Sequence, residues 1–271
     1  MDSRRAAAAL TTRHAPRKRF GQHFLHDPHV LARIVAAIAP TDREAIVEIG
    51  PGEGALTRRL LERVDRIEAI EIDRDLAARL AAEFPVERLT VHCADALKFD
   101  FSFLPQGMRL VGNLPYNIST PLLFRLAGFA SRVRDMHFML QLEVVDRMVA
   151  LPSTPEYGRL SVMLQTRFRM EKLFRVAAGA FRPPPKVESA VVRLVPLAGE
   201  ERPKIDEAVF AQVVTRAFSA RRKTLRNALA LEAGVYSALG IDPGLRPENL
   251  SPADYVRIVQ RVPGGGGTGR G

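Results

Sequence analysis

The sequence predicts an α/β fold: a mainly parallel sheet covered by helices, with an antiparallel hairpin on one edge and a small all-helical domain after it. Three observations carry that expectation. Short apolar runs alternate with amphipathic stretches as far as residue 149, the pattern of a parallel sheet buried on both faces. The first four runs of the sheet end in glycine, acid or asparagine residues, the types that open sheets present to ligands at strand ends. From Lys204 onward the strand-like runs stop and helical spacing takes over.

Asp27-Pro28 reads as an N-cap followed by proline at the first helical position. Val30, Leu31, Ile34, Val35 and Ile38 then recur at helical spacing, and Pro40 closes the helix. Ala45 to Ile49 is a strand, Gly50 to Gly54 a loop and Ala55 to Arg63 a helix. Arg66 to Ile72 is the second strand and leads to a helix over Leu76 to Phe84. Leu89 to Cys93 is the third strand and ends at Ala94-Asp95. Met108 to Gly112 is the fourth, followed by a helix over Thr120 to Phe129. Val133 to Leu140 is the fifth, followed by a helix over Val144 to Val149. Leu160 to Phe168, Phe174 to Ala177 and Val187 to Val195 read as strands with little helix between them, hence the edge hairpin. Phe210, Val213, Val214, Ala217 and Phe218 share one helical face. Leu225, Leu229, Leu239, Tyr255, Val256 and Val259 suggest two or three further helices. The expected organisation is a flexible basic arm (1–19), a catalytic domain (20–200), a helical domain (204–262) and a flexible glycine-rich tail (263–271).

Composition narrows the functional classes. The 271 residues carry a formal net charge of +10, with a pI near 10.4. So basic a balance favours a polyanionic partner, nucleic acid before an anionic membrane. No apolar run approaches the ~20 residues that cross a bilayer. Cys93 is the only cysteine, so an intrachain disulfide or cysteine zinc cluster is excluded and a reducing cytoplasm fits. His23, His26 and His29 lack good helical metal-ligand spacing and a completing carboxylate set, so no metal is expected. No oligomer signal is present, and a monomer is expected.

Glu48-Ile49-Gly50-Pro51-Gly52-Glu53-Gly54 lies between a strand and a helix. Its spacing is G-x-G-x-G rather than the dinucleotide fingerprint G-x-G-x-x-G. Glu48 and Glu53 would repel a pyrophosphate but would suit an adenosine ligand bearing a cationic sulfonium. Glu71 ends the second strand, where an acid reaches a ribose diol. Asp95 ends the third, placed to accept from an adenine amine. The glycine loop, two acids and Asn113 thus occupy four successive strand ends of a Rossmann-like sheet. Together they read as an S-adenosylmethionine site, although either acid alone could equally be a helix cap or a solvated loop residue.

Asn113-Leu114-Pro115-Tyr116 ends the fourth strand. The Asn113 side-chain oxygen and the Leu114 or Pro115 carbonyl can accept the N–H bonds of an exocyclic amine, leaving its lone pair aimed at a methyl group. Tyr116 can stack on the base, which must be unpaired or flipped out. Phe181, in Phe181-Arg182-Pro183-Pro184-Pro185-Lys186, is expected as the other half of a base sandwich, its alternative being a core phenylalanine.

These motifs make the chain resemble the ribosomal RNA adenine dimethyltransferase family, in its bacterial small-subunit branch. The resemblance runs from about Lys18 to Val262. It includes Phe20-Gly21-Gln22-His23-Phe24-Leu25, Glu71-Ile72-Asp73, Asp95-Ala96, Gln141-Leu142-Glu143-Val144, Tyr157-Gly158-Arg159-Leu160-Ser161, Phe181 to Ser189 and Phe218 to Asn227. It implies dimethylation of two adjacent adenosines near the end of 16S RNA and a role in small-subunit maturation. It also implies that Gln22, His23 and Leu25 join Gly50, Gly52, Glu71, Ile72, Asp95, Ala96 and Asn113 in the cofactor site. Many members carry asparagine where this chain has His23. Arg182, Lys186, Arg221, Arg222, Lys223 and Arg226 are expected to bind RNA phosphates. Two alternatives are an RNA-binding assembly factor with dispensable catalysis and the sister enzyme acting on large-subunit RNA. The Phe181 loop and Phe218 to Asn227 favour the small-subunit branch.

Overall fold

The computed structural model describes residues 22–261; the expected amino-terminal arm and glycine-rich tail lie outside them. Residues 22–145 and 171–195 form one compact unit, and 146–170 with 196–261 form a second. The sequence pattern alone drew the boundary after residue 200.

The strands are β1 (Phe24–Leu25), β2 (Ile46–Ile49), β3 (Ile67–Glu71), β4 (Leu89–Cys93), β5 (Met108–Asn113), β6 (Val133–Gln141), β7 (Phe168–Val176), β8 (Phe181–Arg182) and β9 (Ser189–Pro196). Seven of them form a sheet in the order β4-β3-β2-β5-β6-β9-β7, and β1 pairs with β8 separately. The pairs from β4 to β6 are parallel, and β9 runs antiparallel to β6. The chain winds outward from β2 to β4, then returns to β5 on the other side of β2. That reversal opens a crevice at the carboxyl ends of β2 and β5, where such sheets bind ligands.

The central strand β2 is buried at every residue, as cover by helices on both faces requires, whereas the edge strand β4 buries only Leu89. The covering helices include α1 (Pro28–Ile38), α2 (Ala55–Leu61), α3 (Arg74–Glu83), α4 (Ser119–Ala127) and α5 (Leu142–Val149). In α1 the Asp27 carboxylate accepts from His29 N and Val30 N at 2.8 and 3.1 Å. Leu31, Ile34 and Ile38 form its buried stripe, and Ala39 ends it in the left-handed region. Burying each of those side chains stabilises the fold by about 1.5–3 kcal/mol. They pack with Val111, Met139, Val176 and Val191 in one core.

A buried ionic cluster fixes the far end of this sheet. Arg109 on β5 stands opposite Asp135 on β6. Its Nε and Nη2 donate to the two Asp135 oxygens at 2.8 and 2.9 Å, its Nη1 to Glu44 at 2.7 Å, and its Nη2 to the Ile38 carbonyl at 2.7 Å. The strands thereby hold the end of α1 and the start of β2 in place.

The second unit is helical: α6 (Arg159–Gln165), α7 (Glu207–Ser219), α8 (Leu225–Leu229), α9 (Ala233–Leu239) and α10 (Pro252–Arg261). Residues 159–165 are therefore helix, not the strand expected over Leu160 to Phe168. The Gly158 N–H is capped by Ser161 Oγ at 3.1 Å, and Ser161 Oγ donates to the Arg147 carbonyl. Leu160, Ser161, Val162 and Leu164 are buried, so the apolar run serves a helix enclosed on several sides. Tyr157 and Tyr255 lie in the core with their hydroxyls donating to the carbonyls of Leu250 and Pro247, at 2.8 and 2.9 Å. No helix among the described residues is long and apolar enough to cross a membrane.

Candidate active site

A cavity of about 340 Å³ opens at the carboxyl ends of β2 to β5, within the range of small-molecule sites. Gln22, His23, Leu25, Gly50, Gly52, Glu71, Ile72, Asp95, Ala96 and Asn113 all line it, as do Leu114, Pro115 and Tyr116.

The loop after β2 bends through left-handed conformations at Gly50, Gly52 and Gly54, with φ of 68°, 58° and 80°, which side chains with a Cβ adopt poorly. Gly52 also leaves room for Phe24, whose ring a Cβ there would meet at 3.0 Å. Glu71 clamps the loop: its Oε2 accepts from Gly52 N at 3.0 Å and its Oε1 from Asp73 N at 2.9 Å. A carboxylate has about four acceptor positions, so Glu71 can still receive a ligand hydroxyl. Asp95 Oδ1 accepts from Leu97 N at 2.9 Å, fixing the turn after β4. Ile72 lines the cavity with 43 % of its surface exposed, an apolar shelf for a flat ring.

Four carboxylates line the cavity (Glu48, Glu53, Glu71 and Asp95), with no lysine or arginine among the described lining residues. Such a wall repels phosphates and favours a cation. Burial is the main influence on Glu48, pushing its carboxyl up to about 7; the Thr57 hydroxyl, which donates to it at 2.6 Å, works against this, and the Glu71 charge adds to it. Burial also raises the Glu71 carboxyl, opposed by the N–H groups of Asp73 and Gly52.

At the β5 end, Asn113 Nδ2 donates to the His23 carbonyl at 2.8 Å. One of the two amide N–H groups is thereby engaged, which fixes the side chain against flipping, and Oδ1 is left to accept. The His23 ring stacks on Tyr116 with centroids 5.6 Å apart and planes 27° apart, and its Nδ1 donates to the Pro183 carbonyl at 2.7 Å. Tyr116 bonds Ser189 Oγ at 2.7 Å through its hydroxyl, so its ring is held from both ends. Burial raises the Tyr116 hydroxyl despite that bond.

Phe181 is not brought to the cavity. It pairs with Leu25 across β1 and β8 and is 1 % exposed in the sheet core. Strand alternation turns Arg182 outward and Phe181 inward. Arg182 and Lys186 are exposed on the first unit; Arg221, Arg222, Lys223 and Arg226 are exposed on the second. Arg221 is partly engaged, donating to the Pro155 carbonyl at 3.0 Å and to Glu248 at 3.3 Å. Sequence reasoning missed His137 and Met139, which line the cavity from β6. Their period-2 offset within an apolar strand marks one shared face, but not which face meets a ligand.

The chain is similar to several known proteins. The ribosomal RNA small subunit methyltransferase A of Thiobacillus denitrificans is 62% identical over 248 residues, which span 91% of this chain and 97% of that one. The dimethyladenosine transferase of Plasmodium falciparum superposes with a TM-score of 0.78 at 25% identity, covering 88% of this chain and 96% of its own. The 23S rRNA methyltransferase ErmE superposes with a TM-score of 0.67 at 27% identity, covering 88% and 99%. The family model for ribosomal RNA adenine dimethylase matches residues 13–263. With that match and this identity, the chain belongs to the ribosomal RNA adenine dimethylase family.

Proposed function

We propose that the protein transfers methyl groups from S-adenosylmethionine to the exocyclic amines of two adjacent adenosines near the 3' end of 16S rRNA, as a step in small-subunit maturation. The observation that carries this reading is Asn113: its amide oxygen is presented at the edge of an acid-lined cavity by the bond from its Nδ2 to the His23 carbonyl. The small-subunit target rests on the Thiobacillus relative, whose name specifies that RNA.

When bound, the cofactor supplies an electrophilic methyl group on a cationic sulfur. The four carboxylates provide a compatible field. Asn113 Oδ1 accepts one N–H of the target amine. Pro115 O already accepts from Ile118 N at 3.2 Å, so the Leu114 carbonyl is the better second acceptor. Together they draw the nitrogen towards a pyramidal geometry with its lone pair facing the methyl carbon, and the remaining contribution is alignment. No strong base is needed, because the methylated amine is acidic and water or a carbonyl takes its proton. Tyr116, braced by Ser189 and His23, offers the stacking face. Gln22, His23, Leu25, Gly50, Gly52, Glu71, Ile72, Asp95 and Ala96 form the donor site in this reading, and Arg182, Lys186, Arg221, Arg222, Lys223 and Arg226 the phosphate grip. Phe181 supports the site from the core. The protein acts as a monomer in the cytoplasm.

The test is transfer of tritiated methyl from S-adenosylmethionine to unmethylated small subunits, followed by mapping of the modified nucleotides. Label on two adjacent adenosines near the 16S 3' end is expected, with loss of transfer in Asn113→Ala. Label on large-subunit RNA, or none, would overturn the assignment.

A further inference from the structure

The methyl transfer proposed for this chain leaves Gln141 without a role. It is the last residue of β6, where the strand passes into α5. Two registers fix the face it presents. Along its own strand, Met139 lines the cavity and stands opposite Asn113. Alternation puts Gln141, two residues on, on that same face and one pleat further out. Across the antiparallel ladder, Gln141 is the Cα partner of Ser189 on β9. Directly opposed residues turn their side chains to one face, and Ser189 Oγ bonds the Tyr116 hydroxyl at 2.7 Å. Gln141 therefore emerges beside the hydroxyl end of the Tyr116 ring.

Its surroundings suit a polar contact with a ligand. Gln141 is partly buried, and among the described residues no hydrogen bond engages its side-chain amide. The polar side chains near it are already held, Ser189 by Tyr116 and Asn113 by the His23 carbonyl. The main chain is fixed as well, with Leu142 N donating to the Glu188 carbonyl at 2.9 Å. A rigid strand end thus carries an amide that the fold does not use. From the ladder spacings the Cα atoms of Gln141 and Asn113 lie roughly 8 Å apart, a gap that two amide side chains meeting one edge of a base can bridge.

A base stacked on Tyr116 with its amine at Asn113 Oδ1 extends along the Tyr116 ring towards that gap. Flipped bases are read along their Watson–Crick edge. On that edge adenine offers its amine as a donor and, at the next ring position, N1 as an acceptor. Asn113 Oδ1 and the Leu114 carbonyl take the amine, so the edge still lacks a donor for N1. The geometry points to Gln141 as a specificity residue for the target base, its Nε2 donating to adenine N1 beside the amine that Asn113 receives. This rests on the reading of Asn113 and Tyr116 as the target-base site and adds the group that recognises the other half of the edge.

The experiment is a cycle of protein and RNA changes. Small subunits are reconstituted with 16S rRNA carrying adenosine, 1-deazaadenosine or 7-deazaadenosine at the two target positions, and kcat/KM for methyl transfer is measured. We expect Gln141→Ala to slow transfer to adenosine about 5- to 10-fold. Its preference for adenosine over 1-deazaadenosine should shrink by the same factor relative to the unaltered protein, while the preference over 7-deazaadenosine stays within about twofold. Gln141→Glu, which keeps the shape but puts an acceptor oxygen in place of Nε2, should lose the 1-deaza preference too. Unchanged transfer in Gln141→Ala, an unchanged 1-deaza preference, or loss of the 7-deaza preference instead would overturn the proposal. S-adenosylhomocysteine affinity within about twofold of the unaltered protein, by calorimetry, reports that a variant is folded; if Gln141→Ala fails that check, Gln141→Glu carries the same comparison. Failure of the unaltered protein to label the target adenosines would instead remove the reading of Asn113 and Tyr116 itself.

Discussion

Replacing Glu48 with glutamine tests the electrostatic character of the cavity directly. The Glu48 carboxyl is 1 % exposed and is pushed from 4.5 up to about 7, chiefly by burial. The folded protein thus holds this proton more tightly than the unfolded chain does. The stability it contributes is complete below about pH 4.5 and is lost as the pH rises towards 7. A displacement of this size corresponds to about 3 kcal/mol. Urea titrations of the ligand-free protein should show Glu48→Gln gaining on the unaltered protein by about 2–3 kcal/mol between about pH 5 and about pH 8. Glu71 remains in both proteins, so its own titration largely cancels in the difference. Binding of a cationic donor favours the ionised carboxylate, so the unaltered protein should release a proton on binding near neutral pH and the variant less. A stability gap that does not change with pH would refute the reasoning.

Three other substitutions probe separate parts of the structure. Tyr116→Ala should raise KM for the RNA substrate about 5- to 150-fold by removing ~1–3 kcal/mol of stacking, whereas Tyr116→Phe, which loses only the bond to Ser189, should stay within about tenfold; steady-state kinetics on unmethylated subunits decides this. Gly112→Ala places a Cβ 2.3 Å from the Ile49 carbonyl oxygen, so a thermal melt should reveal destabilisation of about 1–3 kcal/mol, and donor affinity should fall because both strand ends line the cavity. Arg222→Ala with Lys223→Ala should weaken RNA binding and reduce the slope of log affinity against log salt by about 1–2, read by filter binding at several salt concentrations.

Much of the catalytic unit could be read in advance because its signals are local. Asp27-Pro28 starts a helix by filling its own cap, and β4 runs over Leu89–Cys93 as its β-branched and apolar residues indicate. The strand-end series from Gly50 to Asn113 was legible because topology, not distant packing, brings strand ends together. What failed depends on the surroundings. Leu160 to Gln165 is too short for its apolar period to separate strand from helix, and the deciding bonds come from Ser161 and Gln165 to the carbonyls of Arg147 and Met148. Phe181 sits beside exposed Arg182 in a proline-rich stretch, and nothing local reveals that its pairing with Leu25 turns the ring into the core. His137 was hidden for a related reason: within Met136-His137-Phe138-Met139 it reads as a polar residue in a core strand, and only the register with Val111 places it on the cavity.

The bond from Asn113 Nδ2 to a main-chain carbonyl ninety residues earlier has a consequence for chemical choice. An asparagine free to rotate could greet either an amine or a ketone; one whose N–H is held by that carbonyl cannot flip, so its oxygen keeps its place. At purine C6 and pyrimidine C4, adenine and cytosine present an amine to it, while guanine, hypoxanthine and uracil present a carbonyl oxygen there. Deamination of the target to inosine would therefore do more than remove the nucleophile: it would turn a substrate into a base this pocket turns away.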